Sequence, residues 1–273
     1  MRPCSIPVAT VPRVRNRVLV YAEALDVAAE GAVWYAGLVG GGAYHALHVP
    51  GPGTDTGIHA RWFDLAGPGH RLEIRGPGTD ATAAVLEEVA RLRAEADDVV
   101  VTVVLPEQFR RRSLLAAAQR SQFRLKLRLL VEPRTVVADV PAVTSKLRPE
   151  GRSPERLAVR VLVGDLDDAA RAAVAYGRLL GLEDVRAVHF GERRWDAGGL
   201  GLPVDDAPLE GGLGEAILRY ARELTAGPAA VNVVLPERLR SNLRLLRSRR
   251  ALAVKRLLLF EPHVILSSVP FPE

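Results

Sequence analysis

Two arginine-rich segments hold the side chains best placed for chemistry. Residues 105–130 carry Arg110, Arg111, Arg112, Arg120, Arg124, Lys126 and Arg128 against a single acid, Glu107. Residues 236–260 carry Arg238, Arg240, Arg244, Arg247, Arg249, Arg250, Lys255 and Arg256 against Glu237. Together the two windows sum to +13 while the whole chain is +5, so everything outside them sums to −8. A local, duplicated positive charge of this kind has three readings. One is a solvated or subunit-facing helix surface, with long arginine stems covering apolar neighbours. The second is a site for a small anion or a nucleotide phosphate, and the third is a surface for nucleic acid or anionic lipid. Nucleic acid fits least well, because stacking on single strands calls for aromatic residues between the basic ones, and only Phe109, Phe123 and Phe260 are near. Three of the 37 basic residues are lysine.

Other reactive groups are sparse. The histidines are His45, His48, His59, His70, His189 and His263. His45 and His48 share an expected strand at a spacing that sends their side chains to opposite faces, which argues against a metal pair. His48 and His189 occupy equivalent places at the ends of second strands, where ligands of parallel sheets commonly bind. A hydrogen-bonded core histidine is the plainer role for each. Cys4 stands alone, so no internal disulfide and no multi-cysteine zinc site is expected. PGPGTD (50–55) and GPGTD (76–80) read as tight turns whose Thr or Asp caps the next element. No Walker, dinucleotide or G-x-S-x-G motif occurs.

The elements that carry these groups come from a duplication. VTVVLPE (101–107) returns as VNVVLPE (231–237), and LLVEP (129–133) returns as LLFEP (258–262). RVLV (17–20 and 160–163), YAGLVG (35–40) with YGRLLG (176–181), and ALHV (46–49) with AVHF (187–190) match in the same order. The polar, proline-containing stretch 145–155 separates the copies, giving domains at 1–150 and 151–273. In the first copy strands are expected at 17–22, 43–49, 70–76, 98–105 and 134–140. In the second they are expected at 157–163, 184–190, 203–206, 229–235 and 263–269. Helices alternate with them, including one at 79–96. Segment 123–131 alternates basic and apolar residues as a strand would, yet the crossover between parallel strands requires a helix there. The fold expected is α/β, in two tandem copies of a five-stranded parallel sheet with helices on both faces. No apolar run reaches the length of a membrane span or a secretory signal, so a cytoplasmic location is expected.

The segments RNRVLV (15–20), ALHV (46–49), the repeated tryptophans Trp62 and Trp195, and VVVTVVLPE with RLKLRLLVEP and VVADVP (99–141) resemble tandem universal stress protein domains. They are most similar to the cytoplasmic C-terminal regions of bacterial amino acid–polyamine–organocation permeases. That resemblance implies strand order 3-2-1-4-5, pairing of like domains, and in some members ATP. The ATP-binding glycine run G-x2-G-x9-G-[ST] is missing after both fourth strands, and Glu23 and Asp165 are only loose counterparts of the acid after strand one. The permease segment before RLK is replaced by AQRS (118–121) and RSRR (247–250). The resemblance places Arg120, Arg249 and Arg250 at the start of the last crossover helix, where cations oppose the helix dipole and call for a compensating anion. The candidate ligand-binding residues are therefore Arg120, Arg124, Arg249, Arg250, His48 and His189. The expected function is regulatory or ligand-sensing and non-enzymatic, with no cofactor. The alternatives are a protein that binds a nucleotide or another anion through the repeated arginines, with ATP or another nucleotide as its ligand, or a peripheral partner of a membrane transporter. The expected partners are the two halves with each other, then a small anionic ligand, a homodimer mate or a membrane-associated protein such as a transporter.

Overall fold

The computed structural model describes residues 14–51, 57–109, 121–143, 154–191, 200–239 and 249–272. The first copy runs β1 (Arg15–Tyr21), α1 (Val27–Val39), β2 (His45–His48), α2 (Ile58–Ala66), β3 (Leu72–Ile74), α3 (Ala81–Arg93), β4 (Val99–Phe109), α4 (Ser121–Leu129) and β5 (Thr135–Val143). The second runs β6 (Arg156–Val163), α5 (Asp168–Leu179), β7 (Val185–Phe190), β8 (Val204–Ala207), α6 (Leu213–Leu224), β9 (Ala229–Leu239), α7 (Arg249–Leu258) and β10 (Val264–Pro272). The expected boundary at 150/151 falls outside the described residues.

Local chemistry accounts for these elements. Val99, Val101, Val103, Val104 and Leu105 are all fully buried, as a β-branched strand covered on both faces must be. Asp26, Asp80 and Asp167 cap α1, α3 and α5 by accepting from backbone amides of the first turn. The ambiguous segment is helix α4: Leu125 and Leu129 go inward while Arg124 and Arg128 stay out, each pair four residues apart. Tertiary burial thus overrides the period-two pattern.

The strands form one ten-stranded sheet, ordered β3-β2-β1-β4-β5-β10-β9-β6-β7-β8. Each half is parallel with order 3-2-1-4-5, and the halves join through antiparallel β5 and β10, which pair Asp139 with Leu266, Ala138 with Ser267 and Val137 with Ser268. Ala138 and Ser267 are repeat equivalents, so a pseudo-two-fold axis passes between them, perpendicular to the sheet. An axis in that direction keeps equivalent helices on the same face. On one face α1, α2 and α5 cover a single apolar core that runs through both halves, including Tyr35, Trp62, Val104, Val161, Tyr176 and Val234. On the other face each half has its own core, one under α3 and α4 and one under α6 and α7. Polar side chains lie between those two cores.

Candidate functional site

Near the pseudo-two-fold axis lie two sets of buried polar side chains, one on each face of the sheet. On the first face Asn232 Nδ2 donates to the Tyr35 hydroxyl at 2.9 Å, and that hydroxyl lies 3.3 Å from Ser267 Oγ. Thr102 Oγ1 donates to Asn16 Oδ1 at 2.7 Å, which leaves the Tyr176 hydroxyl, 3.2 Å away, to donate to Thr102. Tyr35 belongs to α1 yet bonds to β9 and β10, and Tyr176 belongs to α5 yet bonds to β4. Each half therefore reaches across the axis into the other. Burial drives both phenol pKa values up, so both remain protonated at neutral pH.

On the second face sits a row of charges. Lys126 of α4 is ion-paired with Glu107 of β4 and, at 2.9 Å, with Asp139 of β5. Lys255 of α7 is ion-paired with Glu237 of β9 and donates to Ser268 Oγ of β10 at 2.6 Å. Glu107 matches Glu237, Lys126 matches Lys255, and Asp139 matches Ser268, so the repeat is kept except for one lost acid. Strand alternation puts Glu107 and Glu237 on the same side as the odd-numbered valines of β4 and β9, beneath α4 and α7. Burial lowers the Lys255 pKa to about 8; Asp139, across the axis, pulls it back up, and the Lys126 charge pushes it further down. Asp139 thus acts on both lysines and couples the halves electrostatically. Holding two compact ammonium groups in a narrow space between strand and helix suits lysine better than the wider guanidinium.

The residues singled out from sequence are dispersed. His48 is buried, with Nδ1 2.7 Å from the Ala22 carbonyl oxygen, which ties the end of β2 to the end of β1. His189 lies at the end of β7 with Nδ1 3.7 Å from Asp206 Oδ1. Because β2 and β7 are near opposite edges of the sheet, the two histidines cannot line one pocket. Arg124 is exposed on α4. Arg249 and Arg250 open α7, their side chains outside what is described, and Arg120 also lies outside the described residues. Trp62 is buried and donates through Nε1 to the His70 carbonyl at 2.7 Å, anchoring α2 in the core, while Trp195 lies outside the described residues. Asp80 caps α3 from the GPGTD turn, with Gly78 at φ 81°.

Sequence reasoning missed the buried row, having counted Lys126 and Lys255 as surface charge. A signal was available: two of the few lysines in an arginine-rich chain fall at equivalent repeat positions. A second duplicated ion pair was also missed. Arg93 of α3 bonds Glu132 at 3.0 Å, and Arg222 of α6 bonds Glu261 at 2.8 Å, each tying a helix to the turn before the last strand of its half. In those turns Arg134 and His263, again equivalent, both take positive φ, at 52° and 60°.

Among the described residues no group of three or more His, Cys, Asp or Glu could hold a metal ion, and no helix is long and apolar enough to cross a membrane. No curated protein matches the chain. Residues 13–142 and 155–271 match the family described as the KimA potassium transporter C-terminal domain. This corrects the family expected from sequence: the likeness to universal stress proteins and to amino acid–polyamine–organocation permeases captured the strand order and the pairing of like domains, which are features of architecture, and those do not distinguish one family from another. With both copies matched, the chain belongs to the KimA potassium transporter C-terminal domain family.

Proposed function

We propose that this chain is a regulatory module that acts on a potassium transporter, associating with the membrane-embedded part of such a protein and biasing its transport. The observation that carries this reading is the family match across both halves. Two features of the structure support it. The halves form one continuous sheet joined by polar bonds across the axis, so a partner bound to one half is linked through it to the other. The buried charge row lies at the junction of the halves, so any partner that shifts α4 or α7 must also act on it. Of the roles considered from sequence, partnership with a membrane transporter therefore fits better than a free-standing sensor.

The test is affinity purification of the full chain with the membrane-embedded part of a potassium transporter in detergent. Stoichiometric co-elution is the expected result. Separate elution at micromolar concentrations of both would count against the proposal.

A further inference from the structure

We infer that the sheet face carrying α3, α4, α6 and α7 is a docking surface for anionic lipid headgroups, contacted through Arg124, Arg128 and Arg256 with the apolar side chains beside them. The orientation follows from register. Residues paired directly across an antiparallel ladder point to the same face. Asp139 faces α4, and its partner Leu266 belongs to the core under α7, so both basic helices lie on one side of the sheet. A two-fold axis perpendicular to the sheet thus presents two copies of one basic helix toward the same plane.

The chemistry of that plane is distinctive. Neither α4 (SQFRLKLRL) nor α7 (RRALAVKRLL) contains an acid. Their lysines are consumed by the buried carboxylates, which leaves arginine as the exposed charge. Arg124, Arg128 and Arg256 are exposed and have no ion-pair partner among the described residues. The outer helices of the same face differ: Arg91 and Arg93 of α3 pair with Glu88 and Glu132, and Arg219 and Arg222 of α6 pair with Glu210 and Glu261. Beside the free arginines stand apolar side chains open to solvent: Phe123 at 36%, Val131 at 57% and Leu257 at 38%. Basic residues mixed with exposed aliphatic and aromatic ones are what a helix lying in a bilayer interface presents. Guanidinium groups pair with headgroup phosphates while the apolar tips reach the acyl boundary. Nucleic acid would call for several stacking aromatics between the cations, and Phe123 is the one aromatic among these exposed apolar side chains.

This inference goes beyond association with a transporter and stands without it, since lipid alone is the probe. The full chain is incubated with phosphatidylcholine vesicles containing about one third phosphatidylglycerol, and with pure phosphatidylcholine vesicles, then sedimented. Binding to the anionic vesicles alone, weakening as salt rises, is expected. The triple variant Arg124→Gln, Arg128→Gln, Arg256→Gln is expected to bind about 100-fold more weakly, at roughly fivefold for each basic residue near the surface. Arg171→Gln with Arg178→Gln, on α5 of the opposite face, is expected to stay within about twofold. All five arginines are exposed, and a urea unfolding curve for each variant checks that the fold is kept. Equal binding to neutral vesicles would overturn the inference, as would a triple variant that binds like the parent. So would retention of an RNA or DNA oligonucleotide through these arginines without vesicle binding. Co-elution with a transporter alongside failure on vesicles would refute this surface and leave the proposed function standing.

Discussion

Replacing Lys255 with Met removes the counter-ion of Glu237, whose side chain is 3% exposed, and the structure fixes how large the penalty can become. An orphaned buried carboxylate escapes its cost by taking up a proton, so the penalty is capped by the work of protonation. For a glutamate of ordinary pKa that work is about 4 kcal/mol at pH 7 and about 1 kcal/mol at pH 5. The sign is that of a carboxyl whose pKa is raised on folding: stability falls as pH rises from the unfolded value toward the folded one. K255M is therefore expected to lose up to about 4 kcal/mol at pH 7 and to recover most of it by pH 5. Lys126→Met orphans Glu107 and weakens the hold on Asp139, both buried, so it is expected to cost more than K255M at every pH in that range. Glu237→Gln combined with K255M is expected to restore most of the loss, because no buried charge is left without a partner. Urea unfolding followed by tryptophan fluorescence at pH 5, 6, 7 and 8 measures all of these. Two pH-independent single variants within 1 kcal/mol of the parent would refute the reasoning, since they would mean that neither carboxylate is held ionised by its lysine.

Three further outcomes follow from the same geometry. Tyr35→Phe leaves Asn232 Nδ2 without its acceptor in a fully buried place and is expected to cost about 1–3 kcal/mol, read from the urea midpoint, with Tyr176→Phe costing less because Thr102 keeps Asn16. The lowered pKa of Lys255 means that between pH 8 and 10.5 the unfolded chain holds a proton the folded chain has released; stability is expected to rise with pH across that window, by up to about 3 kcal/mol, and a flat or falling profile contradicts it. Asp26→Ala removes the acceptor for two amides at the start of α1 and is expected to cost about 1 kcal/mol in the same assay.

Most of the fold was legible because its signals are local or repeated. The buried valine run of β4 and its copy in β9 could hardly be anything other than central strands, and the ordered matches forced two copies of one unit. Helix α4 shows how local pattern can mislead: alternation in FRLKLRLLV suggested a strand, and only the need for a crossover between parallel strands gave the helix. The site was less legible. Sequence counts charge without depth, so Lys126 and Lys255 looked like part of a basic surface, whereas strand register turns Glu107, Asp139 and Glu237 toward them under the helices. The axis through Ala138 and Ser267 comes from long-range pairing, and no local window shows it. Once the axis is known, the divergence of Asp139 from Ser268 becomes meaningful, because one acid at a two-fold position serves both lysines. His48 and His189 were equivalent in sequence and remain equivalent in structure, yet the same axis that relates them keeps them far apart.

The regulatory reading stands most directly on potassium flux. The membrane-embedded part of a potassium transporter of this family, reconstituted into proteoliposomes, would be assayed for potassium uptake with and without the full chain added on one side. A saturable change in uptake rate, reached at stoichiometric addition and weakened by K126M under conditions where that variant is folded, is the predicted result. Uptake that stays unchanged at saturating concentrations of the chain on either side would contradict the account.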